Sequence, residues 1–212
     1  MKILFYGDSI TDAGRDRETT YEPASYGYGY VKYIVESLNA ENAAGYDLIN
    51  RGISGNRIVD LYARIKVDCW NHNPDLLSIL IGVNDVWHEI EGNNGVEIDR
   101  FEKVYRMLIE DTLKKLPNLK ILLCEPFVLQ GASTVNEGDK WQRFLEVYDY
   151  AKVVKRLAEE YGLYYLPLQE KLSEAAKGKE TEYLGDGVHP VEKGAKLIAN
   201  EWLQVFKTQI EK

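Results

Sequence analysis

Cysteine and histidine are scarce in this chain, at two and three residues. Cys69 and Cys124 sit in apolar or helical contexts without metal-ligand spacing, so reduced core thiols are expected rather than a disulfide. His72, His88 and His189 form no His-x-x-x-His pattern, and neither a metal site nor another cofactor is expected. Also missing is any run of about 20 apolar residues, so no transmembrane helix is expected. Basic side chains are outnumbered, 26 against 34, giving a formal net charge of −8. That balance argues against nucleic acid or an anionic membrane as a habitual partner. There is no Pro/Ser-rich linker, internal repeat or low-complexity segment, so residues 1–212 read as a single domain. At that length more than half of the unfolded chain's surface can be buried. A basic, then apolar, then small-residue leader is absent from the first residues, and a cytoplasmic protein is expected.

What is present is alternation. Lys2–Tyr6, Tyr46–Asn50, Leu76–Ile81, Leu119–Cys124 and Leu163–Leu166 read as five short strands. Helical periodicity covers Tyr28–Asn39, Arg57–Asp68, Ile98–Leu116, Trp141–Tyr161 and Val191–Phe206. Leu76–Ile81 reads as an apolar run, broken by Ser78 alone, as a strand buried on both faces should be. Alternating strands and helices predict an α/β fold, a parallel sheet covered by helices on both sides. In open sheets of that kind, sites lie at the carboxyl ends of the strands.

Four polar clusters fall just after strands or in the last long loop. Gly7-Asp8-Ser9-Ile10-Thr11-Asp12 follows the first strand. The glycine permits a sharp exit and would place Ser9 at the head of the next turn or helix. Taken alone, Ser and Asp there are more often helix caps than nucleophiles. Asn50-Arg51-Gly52-Ile53-Ser54-Gly55-Asn56 follows the second strand. It reads as a plain turn, as an exposed backbone amide, or as a phosphate cradle lacking a complete fingerprint. Gly82-Val83-Asn84-Asp85 ends the most buried strand, where Asn84 is either an N–H donor to an oxyanion or a loop cap. Asp186-Gly187-Val188-His189-Pro190 precedes the last helix. An Asp and a His three apart on a turn can meet, the Asp fixing the tautomer of the His. His72 and His88 have no such partner and read as surface or loop residues. Only the conjunction is specific: a nucleophile, a base, an orienter and oxyanion donors are the parts acyl transfer needs.

These blocks resemble the SGNH (GDSL-like) hydrolases, whose four motifs appear here in order and at their usual spacing over nearly the whole chain. The resemblance implies a five-stranded parallel sheet in a flavodoxin-like three-layer α/β/α sandwich. It implies Ser9 as nucleophile, His189 as general base and Asp186 as its orienter. The oxyanion hole would be formed by the amides of Ser9 and Gly55 and the side chain of Asn84. Residues 7–15, Tyr28–Val31, Asn84–Trp87 and Glu125–Phe127 look, more narrowly, like bacterial intracellular acetylesterases that deacetylate xylan-derived oligosaccharides. The expected partner is therefore a small acylated carbohydrate or other short-chain ester. Trp87, Tyr28, Phe127 and Asp8 are candidate substrate contacts, with Tyr26 and Trp141 in or beside rim segments. The 127–139 loop shapes the pocket in such a reading. Arg15 is placed to steer a polar substrate or to pair with a carboxylate. Lipase-type or thioesterase-type relatives, and a non-catalytic carbohydrate- or flavin-binding module, are the alternatives. Frequent Tyr and Trp, and a final helix ending in bulky residues, point to a homo-oligomer.

Overall fold

Five apolar segments pair into one all-parallel sheet because they leave few side chains that want water on either face. The computed structural model describes residues 1–135 and 138–211. In chain order the elements begin with β1 (Lys2–Gly7), α1 (Ser9–Asp12), α2 (Tyr30–Asn42), β2 (Asp47–Gly52), α3 (Ile58–Asp68) and β3 (Leu76–Leu80). Next come α4 (Val83–Gly92), α5 (Ile98–Lys115), β4 (Lys120–Cys124), α6 (Ala132–Val135) and α7 (Lys140–Phe144). The chain closes with α8 (Val147–Glu160), β5 (Tyr164–Leu166), α9 (Gln169–Ala176) and α10 (Glu192–Val205). The strand order is β2-β1-β3-β4-β5. Helices α2 and α10 pack together on one face, while α3 packs on α5 and α5 on α8 on the other. This is the three-layer sandwich expected from the alternation. No helix among the described residues is long and apolar enough to cross a membrane.

The order positions the site. From β1 the chain steps outward to β2, then crosses back over β1 to reach β3. The carboxyl ends of β1 and β3 are thus the switch point at which a crevice opens. The central strands are dry: Ile3 to Tyr6 of β1 are all 0% exposed. One polar side chain interrupts β3, and it is satisfied. Ser78 Oγ accepts the Trp202 indole N–H at 3.0 Å and lies 3.5 Å from Cys124 Sγ. Trp202 in turn stacks on Phe206, with ring centroids 5.0 Å apart. Cys69 and Cys124 are free and buried, as their apolar contexts suggest.

Three details differ from the sequence reading. Residues 83–92, to which that reading assigns no element beyond the polar cluster at 82–85, form helix α4. The helix expected over Trp141–Tyr161 breaks into α7 and α8 around Leu145–Glu146. The break shifts the phase so that Phe144, Val147 and Tyr150 face inward, and Tyr148 is exposed. Val191, placed on the buried stripe of the last helix, is instead its exposed N-cap.

Candidate functional site

Ser9 is the first residue of α1, immediately beyond the end of β1. Asp8 caps that helix, its Oδ1 accepting the Ile10 N–H at 2.9 Å. Beside Ser9 stands the turn before α10. Asp186 Oδ1 accepts the backbone N–H groups of Val188 (2.9 Å) and His189 (2.7 Å). Those two bonds curl residues 186–189 so that the side chains meet. Asp186 Oδ2 then lies 2.8 Å from His189 Nδ1, and His189 Nε2 lies 2.8 Å from Ser9 Oγ. With Nδ1–H donating to the carboxylate, Nε2 is left as an acceptor for the Ser9 hydroxyl. The bond to Asp186, opposed by burial and helped by the Asp186 charge, raises the His189 pKa above its ordinary value. Burial pushes Asp186 up, but the His189 and Val188 N–H groups outweigh it and hold the carboxyl well below its usual range.

Across the crevice, α4 brings in Asn84. Its Nδ2 donates one N–H to the Asn56 carbonyl at 3.0 Å, which leaves the other without an acceptor among the described residues. Gly55, between Ser54 and Asn56, has φ +81°, a conformation glycine adopts at little cost. Gly52 carries the loop up against α1, where a Cβ would stand 2.2 Å from the Asp12 nitrogen. The N–H groups of Ser9 and Gly55 likewise find no acceptor among the described residues. Three N–H donors are thus unspent just beyond the carboxyl ends of β1, β2 and β3, the end of the sheet that also carries the Ser9 hydroxyl bonded to an imidazole, a disposition suited to a carbonyl that becomes a tetrahedral oxyanion.

One hollow opens at Ser9 and a second beside it at His189. A recess of about 20 Å³ is lined by Ser9, Ile10, Ala13, Tyr28, Gly29 and His189. Past Tyr28, His189 and Pro190 it adjoins a groove of about 450 Å³ that includes Tyr33 and Val191.

Of the expected substrate contacts, Tyr28 is 70% exposed and lines both hollows. Trp87 lines neither; its indole packs on His189, with centroids 5.8 Å apart, and edge-on to Phe144. Phe127 is a correction. It is 0% exposed, turned into the core because Val128 N–H and C=O are both bonded to the Gln169 amide. Asp8 is another: its carboxyl is wholly buried beneath Ser9, and burial pushes its pKa up to about 7. Tyr26 is buried, and Trp141 packs half-buried against the core. Arg15, 7% exposed, neither meets solvent substrate nor forms an ion pair among the described residues; its Nε donates to the Gly52 carbonyl. His88 lies on α4 rather than in a loop, its Cε1 3.9 Å from where a Gly55 Cβ would be. Of the 127–139 loop, residues 136 and 137 lie outside the described residues. What sequence reasoning missed is Ser133, whose N–H donates to the Asp186 carbonyl and whose Oγ is 3.4 Å from Asp186 Oδ2. No local motif marks it.

The GDSL-like lipase/acylhydrolase family model matches residues 5–197. An acetylxylan esterase from Geobacillus stearothermophilus is 36% identical over 210 residues, spanning 96% of this chain and 92% of that one. A crystal structure of that organism's acetylxylan esterase superposes with a TM-score of 0.84 at 34% identity, covering 96% and 92% of the two chains. Catalytic mutants of it, also solved, replace a serine, an aspartate or a histidine by alanine. A protein from Parabacteroides merdae ATCC 43184 described as a GDSL-like lipase superposes with a TM-score of 0.89 at 39% identity, over 97% and 95% of the chains.

Proposed function

Because the chain belongs to the GDSL-like lipase/acylhydrolase family, and so is a carboxylic ester hydrolase, we propose that it removes acetyl groups from carbohydrates through an acyl-Ser9 intermediate. The observation that carries this reading is the unbroken run from Ser9 Oγ through His189 to Asp186, with three unspent N–H donors beyond the ends of the same central strands. His189 Nε2 takes the Ser9 proton as Oγ bonds to the ester carbon. The oxyanion is held by the Ser9 and Gly55 amides and the Asn84 side chain. Collapse breaks the bond to the leaving alkoxide, which takes the proton from His189. Water, deprotonated by the same imidazole, then attacks the acyl-enzyme and releases acetate. Asn84→Ala removes one donor, and kcat is expected to fall about a hundredfold or more, with little change in KM.

The size of the recess supports the acetyl reading. A space of about 20 Å³ is little more than the ~10–15 Å³ that holds one water, room of the order of a methyl group. The wider groove, with the aromatic faces of Tyr28 and Tyr33, suits a sugar leaving group. Across p-nitrophenyl esters, kcat/KM is expected to drop at least about tenfold from acetyl to butyryl, and further to octanoyl. The deciding assay is acetate release from peracetylated xylobiose. Vigorous release supports the sugar as leaving group. Hydrolysis of p-nitrophenyl acetate with none from the sugar would remove carbohydrate from the reading and keep the esterase.

A further inference from the structure

The loop that presents Gly55 spends its hydrogen bonds in a pattern that a plain turn does not need. Ile53 N–H donates to the Gly7 carbonyl, Ser54 N–H to Asp12 Oδ2, Asn56 N–H to the Ile53 carbonyl, and Arg57 N–H to Asp60. Ile58 N–H donates to the Asp85 carboxyl, at 3.0 and 3.3 Å from its two oxygens. From 53 to 58, the Gly55 N–H alone has no acceptor among the described residues. Two of those acceptors are buried acids from opposite walls of the crevice. Asp12, on α1, is 2% exposed, and Asp85, on α4, is 0% exposed. Burying a carboxyl is costly unless its hydrogen bonds are made; Asp85 makes its bond to this loop, and Asp12 divides its own among this loop, the Arg15 N–H and Arg17.

We propose that Asp12 and Asp85 are positioning residues, a two-sided clamp that fixes the Gly55 N–H and the Asn84 amide as one rigid oxyanion hole. The inference rests on the reading of Gly55 and Asn84 as oxyanion donors. The Asp12 jaw grips residue 54 through both its N–H and its hydroxyl, one residue before Gly55. On the other side α4 grips twice, Asn84 holding residue 56 and Asp85 holding residue 58. Because Asn84 and Asp85 are adjacent on one helical turn, holding Ile58 also sets how far the Asn84 amide stands from Gly55. Asp12 is paired with Arg17, and burial, reinforced by the Asp8 charge, raises the Asp85 pKa above its ordinary value.

The test compares Asp12→Asn, Asp85→Ala and Asn84→Ala, alone and combined, with a methyl trifluoromethyl ketone as probe. Its carbonyl carbon bonds to Ser9 Oγ, the serine proton passes to His189, and an alkoxide sits where the oxyanion forms. Each clamp variant is expected to lose about ten- to a hundredfold in kcat with KM within about threefold, since small misplacement of a donor is enough. Affinity for the ketone should fall by the same factor as kcat/KM. On an Asn84→Ala background the Asp85→Ala loss should largely disappear, because coupled residues are not additive. Partial unfolding lowers the number of titratable sites and leaves the ketone affinity of the remainder unchanged. Should Asp85→Ala fail to fold, Asp12→Asn decides. Overturning results are a kcat loss with ketone affinity unmoved, full activity in Asp12→Asn, or losses that multiply in the double variants. A silent Asn84→Ala would instead overturn the oxyanion assignment itself, and the clamp with it.

Discussion

Ser9→Ala is expected to lower the turnover of acetyl esters by about 10⁵- to 10⁶-fold while the protein remains folded. The two halves of that expectation have separate causes. Chemically, the methyl side chain has no lone pair to attack with, and the covalent route closes. What survives is the hydrolysis that the three N–H donors and bound substrate can still promote, about 10³-fold over water. Structurally, the change is small. Among the described residues Ser9 Oγ makes one hydrogen bond, to His189, and the half-buried residue keeps its backbone N–H. The cap of α1 belongs to Asp8, not to Ser9, so helix and loop stay in place. A stability change of about 1 kcal/mol or less should result. Acetate release by titrated wild type and variant, with thermal unfolding of each, checks both. Adding His189→Ala to Ser9→Ala should cost almost nothing more, because the pair acts as a unit. Activity within about tenfold of wild type would place the nucleophile elsewhere and remove the mechanism proposed above.

The strands and the Asp186–His189 turn were legible because each is written in contiguous residues, whereas Ser9, 180 residues from His189, joined them only through the conjunction of motifs. Ile3–Tyr6 is an uninterrupted apolar run and Leu76–Leu80 is apolar but for Ser78, the short runs that a strand covered on both faces uses. Asp186 and His189 meet through bonds inside one turn, so their spacing was sufficient. Helix α4 carried a readable signal in Val83, Val86 and Ile90, but the polar motif at its head reads as loop when taken by itself. The break at Leu145–Glu146 contains neither Pro nor Gly, and tertiary packing of Phe144 and Val147 set it. Phe127 shows what a strand-end rule omits. Its direction is fixed by Gln169, some 40 residues later, gripping Val128, and by Glu125 accepting the N–H groups of Leu168 and Gln169. The clamp acids belong to the same class. Side-chain to backbone bonds across separations of 42 and 27 residues have no local pattern, so Asp12 and Asp85 read as ordinary polar neighbours of the motifs.

Asp186→Asn should be nearly as damaging to catalysis, with a loss in kcat of about 10⁴, although it alters one atom. In the wild type, Oδ1 holds the turn through Val188 and His189 N–H, and Oδ2 receives Nδ1–H. An asparagine keeps the first role with its carbonyl oxygen, so the turn should persist. Its amide then faces Nδ1 as a donor, which selects the tautomer with the proton on Nε2, toward Ser9. That imidazole cannot accept the serine proton. The pH dependence supplies an independent check. In the wild type, the Asp186 hydrogen bond and charge, outweighing burial, raise His189 above the ordinary histidine value of about 6.5. Activity requires the neutral imidazole, so the acid limb of kcat/KM should lie above that value, activity being lost as pH falls through it. The asparagine removes both influences of Asp186 and leaves burial, which favours the neutral ring, opposed by the lesser Asp8 charge, so the limb of the residual activity should move to lower pH. Measuring kcat/KM for both proteins from about pH 5 to about pH 9 tests the sign as well as the size. A variant that keeps more than about a tenth of the activity, or whose limb stays put, would mean that His189 owes neither its tautomer nor its basicity to Asp186. Either result would leave the turn with a structural task only, since the two backbone bonds to Oδ1 would then be all that the carboxylate contributes.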